Sequence, residues 1–294
     1  MIRLAVISGK GGTGKTMITA ALAQLLPGNL VLADCDVDAA NLALVTSPRL
    51  LSTTPFMGMR SALIDPAACV KCAECEAYCR FRAVDWLGNV FRINPFRCEG
   101  CAVCTFVCPV KAITMQPRQT GEILCSETAR GHLVHARLVP GAGNSGLLVH
   151  AVKKMAMEQD RDCDLFLIDG PPGTGCPLIS TISGVDAVLV VTEPSISGLH
   201  DLKRVVAVCR QFRPRILVAI NRFDLEPSLT NAIRTWCNEE HIPVIGLIPF
   251  DPAVIVAVRN GRAVTSSDAS PAAQAIQTLA SKLEQELANR GTEH

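Results

Sequence analysis

Gly9-Lys10-Gly11-Gly12-Thr13-Gly14-Lys15-Thr16 is the stretch that decides the fold of this 294-residue chain. It follows a short apolar run at residues 4–7. It opens a segment, residues 16–26, in which Ile18, Ala21, Leu22 and Leu25 share one helical face before Pro27-Gly28 ends it. In a strand–glycine loop–helix setting, backbone N–H groups turn inward around phosphates and the helix N-terminus adds its positive end. Lys15 is then placed to reach the β- and γ-phosphates, and the Thr16 hydroxyl to ligate Mg²⁺. Gly9, Gly11 and Gly14 also satisfy G-x-G-x-x-G, and Asp34 ends a strand about 20 residues on, as in a dinucleotide site. The Lys15-Thr16 pair argues against that reading, because a pyrophosphate turn has no use for a lysine and a magnesium-binding hydroxyl together.

Outward from this loop, dense apolar runs recur at residues 4–7, 30–33, 165–168, 187–191, 216–220 and 244–248. Unbroken rather than alternating runs are expected of parallel strands buried on both faces. With helical stretches between them, they predict a doubly wound, mostly parallel α/β sheet of the P-loop NTPase kind. Between residues 58 and 117 the alternation stops, and cysteine, arginine and glutamate replace the aliphatic runs. A shift of 29 residues lays Cys69, Cys72, Cys75 and Cys79 on Cys98, Cys101, Cys104 and Cys108, and Ala83 on Ala112. Residues 58–117 are therefore expected to be a small α+β module inserted into a P-loop domain made of 1–57 and 118–294.

Each half of the module reads C-x₂-C-x₂-C-x₃-C, and the second ends Cys108-Pro109. This is the spacing of bacterial two-cluster ferredoxins, in which the fourth cysteine serves the other cluster. The first [4Fe–4S] cluster would use Cys69, Cys72, Cys75 and Cys108; the second would use Cys79, Cys98, Cys101 and Cys104. Zinc ribbons also use paired C-x-x-C elements, but tetrahedral zinc leaves the third cysteine and the x₃-C unexplained. Disulfides do not account for the repeat in a chain that is neither short nor signal-bearing. Arg80 stands where a ferredoxin usually has proline.

The loop Lys10-Gly11-Gly12-Thr13-Gly14-Lys15-Thr16 resembles the deviant Walker A motif of the MinD/ParA/Mrp and nitrogenase iron-protein group. The resemblance implies that Lys10 reaches across a nucleotide-sandwich dimer to the partner's phosphates. Asp34-Cys35-Asp36, followed by Asn41-Leu42, resembles the group's first switch, with Asp36 orienting the attacking water and Asp34 near the magnesium shell. Leu165-Phe166-Leu167-Ile168-Asp169-Gly170-Pro171-Pro172-Gly173 resembles Walker B running into the second switch, with Asp169 holding a magnesium-bound water. Asn221-Arg222 resembles an adenine-contacting pair. The segment Gly143-Asn144-Ser145-Gly146-Leu147-Leu148-Val149 is similar to one in MinD-like proteins that carry a ferredoxin insert. A Mrp-type C-x-x-C pair near the C-terminus is absent.

Of the fourteen cysteines, six lie outside the two groups. Cys163, Cys209 and Cys237 read as small buried hydrophobes. Cys176 follows Asp169 at the spacing of an inter-subunit cluster ligand in the nitrogenase iron protein, with Cys125 as a candidate second ligand. Net charge is +1, without a long charged run, which makes nucleic acid or an anionic membrane an unexpected partner. Residues 1–8 read as a buried strand rather than a secretion signal, and no apolar run approaches the roughly 20 residues of a membrane helix. Ile276, Leu279, Leu283 and Leu287 form a packing stripe and not a membrane anchor. The expectation is a cytoplasmic protein that binds ATP and Mg²⁺ and dimerises with nucleotide, as a homodimer or with a paralogue. Nucleotide state would gate electron transfer to a redox partner protein. The rival expectations are an iron–sulfur carrier or scaffold, and a MinD-like positioning ATPase with structural or redox-sensing clusters.

Overall fold

All six dense apolar runs form strands. In the computed structural model, which describes residues 1–139, 142, 145–264 and 270–288, β1 (Ile2–Ser8) leads through α1 (Lys15–Leu25) to β2 (Leu30–Asp34). After α2 (Leu42–Thr46) and β3 (Arg49–Met57) come β4 (Ser61–Ile64), α3 (Glu74–Ala77), β5 (Val84–Trp86), β6 (Phe91–Ile93), α4 (Val103–Val107) and β7 (Ile113–Gln116). The chain returns through β8 (Gln119–Thr128), β9 (Gly131–Leu138), α5 (Ser145–Gln159), β10 (Leu165–Pro172) and α6 (Cys176–Ile182). Next are β11 (Ala187–Thr192), α7 (Ile196–Arg210), β12 (Arg215–Asn221) and α8 (Pro227–Glu239). Last come β13 (Val244–Ile248), α9 (Pro252–Arg259) and α10 (Pro271–Ala288). Residues 143 and 144 of the segment at 143–149 lie outside the described residues.

The main sheet has the order β13-β12-β11-β1-β10-β2-β9-β8-β3. Strands from β13 to β9 are parallel, and β8 and β3 extend the sheet antiparallel. Both faces are covered, which is why the runs are unbroken. In β1, Leu4 and Val6 join the core beneath α1 and α10, while Ala5 and Ile7 join the one beneath α5 to α8. Full burial of such a side chain contributes about 1.5–3 kcal/mol. Ile276, Leu279, Leu283 and Leu287 of α10 are buried in the first core. No described helix is long and apolar enough to cross a membrane.

β3 was not legible in the sequence. It is an edge strand, exposed along nearly all its length, with Leu50 and Leu51 adjacent rather than alternating. Pairing with β8, not burial of its own side chains, forms it.

Residues between β3 and β8 leave the main sheet as a unit. β4 pairs with β7 and β5 with β6 in separate antiparallel sheets, around a small core of Ala62, Ile64, Cys75, Val84, Phe91, Ile93 and Ile113. The neck is closed where Gly58 N–H donates to Arg118 O at 3.1 Å. Met57 is opposite Gln119, and Gly121 is opposite Leu138 at the carboxyl end of β9. β9 runs parallel to β2, so the unit projects from the same sheet edge as the loops after β1, β2 and β10.

Candidate functional site

The phosphate loop joins β1 to α1 at the carboxyl edge of the sheet, where open α/β sheets bind their ligands. Gly14 adopts φ 89°, and a Cβ there would stand 2.4 Å from Asn221 Nδ2. That amide donates to Thr13 O at 2.8 Å, while Asn221 Oδ1 accepts from Arg222 N–H at 3.1 Å. Asn221 thus ties the end of β12 to the loop, and its polar atoms are taken up within the protein. A cavity of about 480 Å³ is lined by Gly11 to Thr16, Asp36, Asn41 and Leu44. It adjoins one of about 290 Å³ bordered by Asn221, Arg222, Pro249 and Phe250. The two share Gly14, Met17 and Val258.

Three acids gather around Lys15. Its Nζ lies 3.3 Å from Asp169 Oδ1 and 3.7 Å from Asp36 Oδ2. Burial disfavours the Lys15 charge, but Asp169, Asp36 and Asp34 outweigh it and hold the ammonium above the usual lysine range. Asp169 is fully buried. Its Oδ1 also accepts from Thr19 Oγ1 at 3.0 Å, and its Oδ2 has no hydrogen-bond partner among the described residues. An unpaired buried carboxylate oxygen is costly and suits a hydrated cation. Asp34 is used differently. Its oxygens accept from the backbone N–H of Asp36 and Leu42, at 3.1 and 2.9 Å, so it shapes the loop that carries Asp36. Burial, with Asp169 adding to it, pushes the Asp34 carboxyl up to about 8. Burial also raises Asp36, against the pull of Lys15. Asp38, two residues on, is exposed.

Lys10 is not a free lysine. Its Nζ lies 2.7 Å from Glu193 Oε1 and donates to Ser195 Oγ and Ser197 Oγ at 3.1 and 2.9 Å. Glu193 Oε2 also meets Arg222 at 3.1 Å. Sequence reading missed Glu193, Ser195 and Ser197, which follow β11 and share no motif with the loop. Thr19 was missed too, although its place one helical turn after Lys15 was a usable signal.

Eight cysteines converge in the small unit between β3 and β8. Cys69, Cys72, Cys75 and Cys108 line one cleft together with Ile64, Phe91 and Ile113. Burial and the nearby thiols of Cys69 and Cys72 raise Cys75. In the other half, burial, then Cys98 and Cys101, push Cys104 up to about 11. The sequence repeat is also a structural one. Cys79 Sγ accepts from Ala83 N–H, and Cys108 Sγ from Ala112 N–H, both at 3.3 Å. Ala73 and Ala102 are left-handed at φ 66° and 63°, as are Arg82 and Lys111 at 49° and 52°. Among the described residues no three His, Cys, Asp or Glu groups converge on a single metal ion. Thiolates around a cubane each bind a different iron and stand further apart than ligands of one ion.

A family model described as the CobQ/CobB/MinD/ParA nucleotide binding domain matches residues 4–264. The chain belongs to this family. An uncharacterized protein of Methanocaldococcus jannaschii is 35% identical over 228 residues, 76% of this chain and 78% of that protein. A second uncharacterized protein of the same organism is 26% identical over 228 residues. A cytosolic Fe-S cluster assembly factor Nubp1 homolog of Drosophila pseudoobscura pseudoobscura is 27% identical over 140 residues, 41% of this chain and 45% of that protein. Among solved structures, the septum site-determining protein MinD complexed with Mg-ADP, from Pyrococcus horikoshii OT3, superposes with a TM-score of 0.58 at 20% identity. The alignment covers 100% of this chain and 99% of that one, and shows the MinD/ParA-type P-loop ATPase fold.

On this MinD/ParA-type fold, the pairing of Cys125 with Cys176 needs correction. Cys176 is exposed and packs beside Gly146 at the start of α5. Cys125 is buried and donates to Gln159 Oε1, at the far end of the same helix, at 3.1 Å. Thirteen residues of helix put those ends about 20 Å apart. Cys163, Cys209 and Cys237 are buried, as small apolar side chains would be.

Proposed function

We propose that this protein is an ATP-hydrolysing, MinD-like switch whose nucleotide state gates electron transfer through two [4Fe–4S] clusters in the inserted unit, residues 58–117. The observation that carries this reading is the cleft lined by Cys69, Cys72, Cys75 and Cys108, three thiols from one half and one from the other, as the crossed ligand assignment requires. Cys79, Cys98, Cys101 and Cys104 form the complementary set. The N–H groups of Ala83 and Ala112 aimed at Cys79 and Cys108 suit sulfurs that carry negative charge. Bound clusters supply one-electron carriers; the chain's own part is to hold them and to set their solvent cover.

In the nucleotide half, Lys15 exchanges its carboxylates for the β- and γ-phosphates, and Thr16 and Asp169 hold Mg²⁺ and its water. Asp34 keeps the first switch in place, and Asp36 orients the attacking water. Lys10 leaves Glu193 to meet the phosphates of a second chain, either a copy or a paralogue. Asn221 holds the loop beside the base. The inserted unit shares a sheet edge with these loops, so a switch movement lies along its neck at Met57 and Gln119.

The similarity to Nubp1 homologs, named as Fe-S cluster assembly factors, favours a second reading in which clusters are passed to a client. Anaerobic purification with iron and sulfide counts comes first. Redox titration with ADP and with a non-hydrolysable ATP analogue then separates the readings. A potential that moves with nucleotide supports gating. Superimposable titrations with cluster loss to an apo-acceptor support assembly instead.

A further inference from the structure

A cavity of about 590 Å³ opens at the amino ends of the strands, opposite the nucleotide site. β1 and β10 enter it through Arg3 and Phe166, which are register partners. Side chains alternate along a strand, so Arg3 lies on the same face as Ala5 and Ile7, the face covered by α5 and α6. α5 borders the cavity with Lys153, Lys154 and Met157, and Arg161 follows just beyond it. Val185, after α6, closes the other side. The volume falls within the range of small-molecule sites.

Its charge is unbalanced. Arg3, Lys153, Lys154 and Arg161 face one carboxylate among the lining residues, Glu158. Lys153 Nζ donates to the carbonyls of Ser180, Thr181 and Ser183 at 2.8, 2.7 and 2.8 Å. Those neutral acceptors satisfy its protons without cancelling its charge. Burial pushes Lys153 down to about 8, and the charge of Arg3 works in the same direction. The Arg3 guanidinium donates to Gly184 O at 3.1 Å and its buried Nε has no partner among the described residues, while the Arg3 backbone N–H donates to Asp186 Oδ2 at 2.8 Å. A buried donor left unpaired beside other cations costs free energy that an anion would recover. The wall is otherwise mixed: Met157, Phe166, Ile168 and Val185 are its apolar part, and His150, Ser180 and Ser183 add polar groups.

We propose that this cavity binds an amphipathic anion, a carboxylate or phosphate-monoester head on an apolar body, with Arg3 at the head. The nucleotide site is not involved, since about 17 Å of strand separates Arg3 from Ser8. The test is isothermal titration of the full chain with octanoate, octyl phosphate and the neutral octanamide. The anions should bind at one site, and octanamide at least about tenfold more weakly, because it lacks the charge-assisted bond. Saturating Mg-ATP should leave anion binding unchanged. Arg3→Met should weaken the anions but not octanamide, and Met157→Trp, which fills the cavity from α5, should block all three. Whichever anion binds more tightly names the head group. No saturable binding, displacement by Mg-ATP, or octanamide binding as tightly as octanoate would each overturn the proposal. Should Arg3→Met fail to fold, the octanamide and Met157→Trp arms still decide.

Discussion

Replacing Lys15 by alanine tests the arrangement of the nucleotide site before any nucleotide is added. The substitution leaves Asp34, Asp36 and Asp169 facing one another without their shared cation. Asp169 Oδ1 would keep only the Thr19 hydroxyl, and Oδ2 already lacks a partner among the described residues. Breaking a buried charge pair costs about 3–5 kcal/mol. At about 2–4 °C per kcal/mol for large domains, Tm should fall by roughly 10 °C. The loss should also depend on pH. A carboxyl whose folded pKa lies above its unfolded 3.8, as Asp34 does at about 8, binds more protons folded than unfolded between those values. Stability therefore falls as pH rises through that window. Without Lys15 the folded Asp34 value climbs above about 8, so the gap between Lys15→Ala and parent should widen as pH rises past about 8. Urea unfolding of the nucleotide-free protein, followed by circular dichroism, reads both effects. Asp169→Asn in the Lys15→Ala background should recover a large part of the loss. A destabilisation under about 1 kcal/mol, or one that shrinks with rising pH, would refute the reasoning.

Asp36→Ala should keep ATP affinity within a few-fold while phosphate release drops about 100-fold or more, as removal of a water-positioning group predicts. Lys10→Ala should bind ATP as a monomer but lose the ATP-dependent doubling of mass in light scattering; an unchanged dimer would remove its role in trans. Glu193→Gln, which releases Lys10 from its 2.7 Å ion pair, should shift dimerisation to lower ATP by up to about tenfold. Cys108→Ala should lower the anaerobic iron count by about four per chain, and Cys79→Ala should do the same through the other cluster. An iron count unaffected by either substitution would contradict the crossed ligand sets.

Six of the seven parallel strands and the phosphate loop were legible because local chemistry specifies them. Strands buried on both faces must be apolar throughout, and a phosphate loop requires its glycines, lysine and threonine in consecutive positions. The cysteine repeat was legible because it is local: four cysteines at fixed short spacings recur after a shift of 29 residues. β3 was not, because an edge strand with exposed side chains leaves no hydrophobic period. Contacts between distant segments were also out of reach. Glu193 meets Lys10, and Asn221 meets Thr13, only because β11, β12 and β1 end at one edge of the sheet. The same topology turns Asp34 toward backbone N–H groups while one Asp169 oxygen has no partner among the described residues, a distinction that two strand-end aspartates do not reveal in sequence. It also sets Cys125 and Cys176 at opposite ends of α5. Residue types and short spacings determined the chemistry available to this chain; the order of strands in the sheet decided which of those groups face one another, because that order brings together residues far apart in the chain.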